Sequence, residues 1–204
     1  VMVYVGIEAY MDGMISAGDK FYTEYNLQDL NVIGNSFSEK DLEDIKNLKN
    51  INNAERKLVI NATDADDKDK SYLVSFIETN KISKFYVFEG EKFDSNKKGV
   101  WIDKFYAENN NLKVGDTIRI KYDTFTLEEK ILGLVNIPDH VYDIKNESDL
   151  VPDRNVFGIA YLSYKEIPED YIKSLYIKQM EAYHLDYTLD NFNYLEPIPY
   201  NYVM

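Results

Sequence analysis

The sequence predicts an α+β fold, and three observations lead there. Thr117-Ile118-Arg119-Ile120-Lys121-Tyr122 alternates apolar and polar side chains with a period of two, the pattern of a half-buried strand. Leu42, Ile45 and Leu48 instead recur at helical spacing behind Ser38. Strand-like segments then succeed one another with that helix as the long exception.

Taken in order, Val1 to Ile7 reads as an ordinary first strand, and residues 8–18, with Gly13, Gly18 and scattered Met, as a loop. A chain that begins with Val rather than Met reads as an excised or processed piece. Asp19 to Tyr25 reads as a helical turn and Leu27 to Ile33 as a strand, with Phe21, Tyr22, Leu30 and Val32 in the core. Ser38 is the N-cap of the helix at 38–49, with Asp41 in the capping-box position. Its outer face carries Glu39, Lys40, Glu43, Asp44 and Lys46, and Asn50 to Asn53 stops it.

Ala54 to Asn61 is a strand, and 62–70 a charged loop. Tyr72 to Glu78 and Phe85 to Phe88 are β-prone, and Gly90 to Lys98 is a polar connector. Gly99 to Ile102 leads to a short helix capped by Asp103, with Phe105, Tyr106 and Ala107 as its non-polar content. Asn109-Asn110-Asn111 ends it, because Asn tolerates left-handed backbone. Gly115-Asp116 turns the chain into the strand 117–122, Asp123-Thr124 turns it back, and Phe125 begins the return. Lys130 to Ile137 is almost wholly apolar, hence buried on both faces. Asp139 to Asn155 is polar and irregular, and Val156 to Leu162 is the next strand. Pro168-Glu169-Asp170 starts a turn or helix, Ser174 to Met180 reads as a strand, and 181–204 as an irregular aromatic tail.

Composition narrows the function. The 204 residues carry 23 Lys and Arg against 36 Asp and Glu, a net charge of -13. That balance disfavours nucleic acid, whose phosphates need clustered cations, and a basic membrane-surface helix. With no cysteine there is neither a disulfide nor a thiolate nucleophile. No apolar run reaches the roughly 18–20 residues of a spanning helix.

Leu112, Val114, Gly115 and Asp116, followed by Leu132-Gly133-Leu134-Val135, resemble the L-x-V-G-D turn and V-x-G-(I/V) strand of FtsX/MacB-type ABC transporter permeases. The run from Asp19 to Val32, with Asn26, Leu27 and Asp29, resembles the D-x-Y-Y-x-x-x-N-L-x-D-(I/L)-x-V opening of their Gram-positive branch. Ser38-Glu39-Lys40-Asp41-Leu42 resembles its helix start, and Gly158 to Ser163 its G-x-x-Y-(L/M)-S segment. The matches span about residues 18 to 165 in the family's order.

The resemblance implies an extracytoplasmic core domain. Its mixed α/β porter-like subdomain would be residues 19–85 plus 156–180, with an inserted small β-rich subdomain at 86–155. Residues 1–18 would then be a membrane-proximal lead-in, near where a hydrophobic helix of the family ends. The implied partners are the protein's own transmembrane helices, a separate cytoplasmic ABC ATPase and a second permease copy, on the extracellular face of the cell membrane. Such a domain does no covalent chemistry and holds no cofactor. It couples ATP hydrolysis inside to export or release of a lipoprotein, peptide or antimicrobial, or to an outer partner.

Sites for other chemistry are weak. Asp64-Ala65-Asp66-Asp67-Lys68-Asp69 looks like a calcium run, but Asp69 and Ser75 stand where a calcium loop needs Gly and a carboxylate. Asp139, His140 and Asp143, or His184 and Asp186, are small sets, and since zinc needs three or four ligands with second-shell support a structural or exposed role is the expectation for each His. No Ser sits in a nucleophile elbow, and no phosphate loop is present. Tyr183, Tyr187, Tyr194 and Tyr200, with Phe192 and Tyr202, make the tail a candidate partner surface. A free-standing secreted or surface module binding a peptide or glycan is therefore the alternative function.

Overall fold

The computed structural model describes residues 2–123, 125–140, 153–174 and 200–204, with the side chains of 2–9, 35 and 200–202 left aside. Helices and strands alternate in an α+β fold, whose elements among the described residues include α1 (Met2–Glu24), β1 (Val32–Phe37), α2 (Glu39–Lys46), β2 (Arg56–Asp64), β3 (Ser71–Ile77), β4 (Tyr86–Gly90), β5 (Val100–Asp103), α3 (Lys104–Asn109), β6 (Thr117–Tyr122), β7 (Phe125–Asn136), β8 (Phe157–Ser163) and β9 (Tyr200–Val203). No described helix is long and apolar enough to cross a membrane.

The sheet runs β1-β9-β2-β3-β8-β5-β7-β4, and β6 bridges β7 back to β2. That bridge closes a barrel: β2, β3, β8, β5, β7 and β6 each pair with two neighbours around a ring. The closing pairs are Thr63 with Lys121 and Asp64 with Ile120. At its other end β2 leaves the ring and pairs with β9 through Arg56 and Lys57.

Alternation along each strand fills the barrel, because successive side chains point to opposite faces. Leu58, Ile60 and Ala62 point inward from β2, Tyr72, Val74 and Phe76 from β3, and Ile118 and Ile120 from β6. Val100, Ile102, Ala160 and Leu162 complete the lining, and Tyr106 and Ala107 of α3 plug one end. A second core packs on the outer wall, where Trp101, Val135, Ile159 and Tyr161 meet Phe85 and Ile137. β5 and β8 are thus buried on both faces, which accounts for the unbroken apolar run in 156–162.

Several elements form for the reasons the sequence supplies. Ser38 Oγ accepts from Asp41 N at 3.0 Å while Ser38 N donates to Asp41 Oδ2 at 2.7 Å. Asp103 Oδ2 caps α3 by accepting from Tyr106 N at 3.1 Å. The 117–122 strand and its return pair in register from Thr117–Lys130 to Tyr122–Phe125.

Other readings need correction. Residues 2–24 form one helix, not a strand and a loop. Gly13 and Gly18 sit inside it, with nothing beyond the helix's own backbone within 4 Å of where a Cβ would stand. The next strand starts at Val32 rather than Leu27. Leu30, Val32 and Tyr22 are exposed rather than core. Leu48 is exposed as well, because α2 ends at Lys46. Ser174 lies in a helical segment at 169–174 instead of opening a strand, and 175–180 lie outside the described residues. The tail is not irregular throughout, since Tyr200–Val203 pairs with both β1 and β2.

Gly133 tests how tightly the shared wall is built. A Cβ there would stand 2.7 Å from Trp101 Cδ1 and 3.2 Å from Glu91 O. Gly133→Ala is expected to cost roughly 2 kcal/mol, a fall in Tm of about 4–8 °C. A variant melting within about 1 °C of the parent in a calorimetric scan would mean that the wall yields.

Candidate functional site

Two Asn-Leu pairs set the geometry around which the candidate residues gather. At the end of α1, Asn26 takes a left-handed φ of 51°, Leu27 N donates to Tyr22 O at 2.9 Å and Asn26 N to Thr23 O at 3.3 Å. At the end of α3, Asn111 takes φ 55°, Leu112 N donates to Ala107 O at 2.9 Å and Asn111 N to Glu108 O at 3.2 Å. Both are the paired hydrogen bonds of a Schellman stop, in which Asn supplies the left-handed residue.

Beyond Leu112 the chain makes the Val114-Gly115-Asp116 turn. Gly115 has φ 99°, where a side chain would be strained. Asp116 Oδ2 accepts from Lys113 N at 2.8 Å, and Gly115 N and Asp116 O reach Ile131 O and N at 2.9 and 2.8 Å. Leu112 and Val114 rest against the barrel core. Leu112, Val114, Gly115 and Asp116 therefore stand together at one barrel end, while Gly133 stands against Trp101 in the outer wall.

Asn26, Leu27 and Asp29 belong to a second place, the joint between α1 and the body. Lys84 N donates to Tyr25 O and Ser83 N to Asn26 O, both at 2.8 Å. Asn26 Nδ2 donates to Lys81 O at 2.8 Å, and Gln28 N donates to Ser83 Oγ at 3.2 Å, which in turn donates to Gln28 Oε1 at 3.1 Å. The strap is held on a loop that is itself fixed. Glu55 Oε2 accepts from Ile82 N at 3.0 Å, and Thr79 Oγ1 donates to Glu55 Oε1. Asn80 closes the loop by accepting from Phe85 N at 3.0 Å. Asp29 is exposed on the connector to β1. From this joint α1 projects with Tyr10, Met11, Met14 and Ile15 exposed.

The calcium-like loop is satisfied from within. Asp64 Oδ1 accepts from Asp66 N and Asp67 N, and its Oδ2 from Tyr72 Oη at 2.5 Å. Asp66 pairs with Arg119 at 2.5 Å and Asp67 with Lys70 at 3.5 Å. Asp139 lies 3.6 Å from Lys57 Nζ and 3.8 Å from His140 Nε2. Asp143, His184, Asp186, Tyr183, Tyr187, Phe192 and Tyr194 lie outside the described residues, and Tyr200 sits on β9.

Sequence reasoning missed one group. Glu129 points into the barrel between Leu127 and Ile131, with 1% of its surface exposed. Burial, and then the Glu166 carboxylate, push its acid up to about 7, against a partial opposing pull from Lys98. Lys98 Nζ stands 3.7 Å from Glu129 Oε1, an ion pair at more than ordinary hydrogen-bond length. Its place among apolar inward residues in the period-two pattern of β7 was the available signal. For a carboxyl so enclosed, the raised pKa acts on stability.

No family model matches the chain, and no curated protein matches it in sequence. A solved structure that matches is the extracellular domain of the noncanonic ABC-type transporter YknZ from Gram-positive bacteria. It is 14% identical, with 88% of this chain and 96% of that chain covered, at a TM-score of 0.43. A likeness of that size fixes neither the fold nor the function of this chain.

Glu129 predicts a pH dependence. Its pKa is raised on folding, so between about pH 4.5 and 7 the folded chain holds a proton that the unfolded chain has lost. Stability falls as pH rises through that window, and the loss is complete above it. Glu129→Gln is expected to flatten the fall and to stabilise the domain above pH 7 by roughly 2 kcal/mol. Urea unfolding at pH 5 and pH 8 checks this; a parent and variant with the same pH slope would refute the assignment.

Proposed function

We propose that this chain is the extracytoplasmic domain of an FtsX/MacB-like ABC transporter permease, a non-catalytic body that passes motion from a membrane motor to something outside the cell. The single observation that carries the reading is the joint at Tyr25–Gln28, where an exposed helix meets the body through backbone and side-chain hydrogen bonds. A helix stopped by a Schellman motif and tied at once to a braced loop is a stiff connection. Displacing its end carries the loop with it, because slack would break several hydrogen bonds together.

The resemblance at Asn26, Leu27, Asp29, Leu112, Val114, Gly115, Asp116 and Gly133 supports the same assignment. The motifs fall at the two helix stops, the turn and the shared wall, the places that decide rigidity. In this reading residues 1–18 lead from the membrane. Residues 19–85 with 156–180 are then the porter-like subdomain, and 86–155 the inserted β-rich one. The partners are the protein's own transmembrane helices, a cytoplasmic ATPase and a second permease copy. The exported substrate or outer protein is left open by the geometry.

The chain has no cysteine, so a spin label at Thr126→Cys on the exposed side of β7 reports body position within a permease pair. In the full-length permease reconstituted with its ATPase, the label-to-label distance is expected to change between the nucleotide-free and ATP-bound states. Gln28→Ala with Ser83→Ala, which loosens the joint, is expected to suppress that change while ATP hydrolysis continues. A distance that ATP does not move overturns the reading. So does a parent chain with no bilayer-spanning segment.

A further inference from the structure

A groove of about 810 Å³ opens beside the joint, between Tyr25, the 78–87 segment and the connector 92–95. Its volume lies in the range of small-ligand and short-peptide sites. Two aromatic pairs form its walls. Tyr25 and Tyr86 meet edge to face with centroids 5.7 Å apart, and Phe85 and Phe93 do the same at 6.0 Å. Lys81, Lys84 and Lys92 also line it, and none of them makes an ion pair among the described residues. Lys84 leans over the Tyr25 ring at 5.6 Å, which leaves its ammonium at the groove. Two acids, Glu78 and Asp94, line it as well, so the cations exceed the anions by one; Asp94 is engaged by Asn96 N and Nδ2 at 2.9 and 3.1 Å.

Three open cations on one groove are unexpected on a chain of net charge -13. Surface lysines in such a chain have acids to pair with, as Lys173 does with Glu169 at 2.8 Å and Lys104 with Glu108 at 3.6 Å. The charge asymmetry selects an anionic ligand.

The strand beside the groove selects its shape. β4 pairs with β7 alone and is the last strand of its sheet among the described residues. Tyr86 and Val87 of β4 both line the groove. Successive side chains on a strand point to opposite faces, so a groove reaching both must wrap the strand's edge. An unpaired edge offers backbone donors and acceptors to an extended chain, and aromatic walls offer pockets for its alternate side chains. The loop carrying Lys81 and Lys84 is already held by Glu55 and Asn80, so little ordering accompanies binding.

We propose that this groove binds an extended acidic peptide, which adds as a strand to β4, sets alternate apolar side chains against Tyr25, Tyr86 and Phe93, and meets Lys81, Lys84 and Lys92 with its carboxylates. The site needs no motor, so it stands whether or not the chain belongs to a permease.

The probe is a fluorescent heptapeptide alternating glutamate with phenylalanine and valine, titrated against the intact chain and followed by anisotropy. Saturable binding that weakens as salt rises is expected. Lys81→Glu with Lys92→Glu, both exposed positions, is expected to weaken it by at least about tenfold with the melting temperature unchanged. Lys84→Gln provides a second, milder reduction. N-methylation of the peptide at alternate residues, which removes strand pairing but keeps its charge, is expected to weaken binding by a similar factor. No saturable binding at millimolar peptide overturns the site. So does indifference to the lysine substitutions. Equal binding of the N-methylated peptide, or of an oligogalacturonate of the same charge, overturns strand addition by a peptide in favour of a general anionic site.

Discussion

Everything in this molecule hangs from the contact between β5 and β8. Val100, Trp101 and Ile102 pair with Leu162, Tyr161 and Ala160, and all six are buried. One face of the pair completes the barrel, and the other carries the outer core. Neither core is closed without it, because the ring would open between β8 and β5 and the outer cluster would lose its floor. Hydrophobic burial acts here on both sides of one strand pair, so the stability of the two cores is shared. The outer core then positions the surface. Phe93 rests on Trp101 with centroids 4.9 Å apart, and Phe85 on Tyr161 at 4.9 Å. Those two phenylalanines form a wall of the groove.

Local chemistry was legible where a side chain satisfies its own backbone. Ser38 with Asp41, Asp103 with the first turn of α3, and Asp116 with Lys113 act over three residues or fewer, so sequence spacing contains the whole interaction. The α+β class and the 117–135 hairpin followed from period-two patterning. Helix α1 was lost because Gly13 and Gly18 read as breakers, and in an exposed helix with open space around them they are merely weak helix formers. Strand β9 was lost because its partners β1 and β2 lie more than a hundred residues upstream. The groove was invisible for the same reason. Tyr25, Lys84 and Lys92 are separated in sequence, and only the strap across loop 81–84 brings them to one place.

The residues that carry the family resemblance have a common physical account. Asn26-Leu27 and Asn111-Leu112 are two uses of one device, a left-handed Asn that ends a helix and a Leu whose N–H closes the last turn. The Gly115 turn and Gly133 meet backbone constraints that other residues satisfy poorly. Motifs of this sort specify where rigid elements stop and how closely walls approach. They say nothing about what the surface touches, and of the groove lining they include Tyr25 but none of the lysines.

Tyr25 belongs both to the joint and to the groove. Its carbonyl accepts from Lys84 N, its ring faces Tyr86, and Lys84 leans on that ring. A displacement of α1 that moves Tyr25 and carries loop 79–85 with it must reshape the groove, because the opposite wall at Phe93 stays packed on Trp101. Linkage makes the relation reciprocal: a ligand whose affinity depends on where that wall stands biases the position of α1 by the same free energy. The size of the effect is limited by how differently the ligand fits the two positions of Tyr25, however tightly it binds overall. A ligand seated only on Phe93 and Lys92, away from the strap, would occupy the groove and leave the helix unmoved.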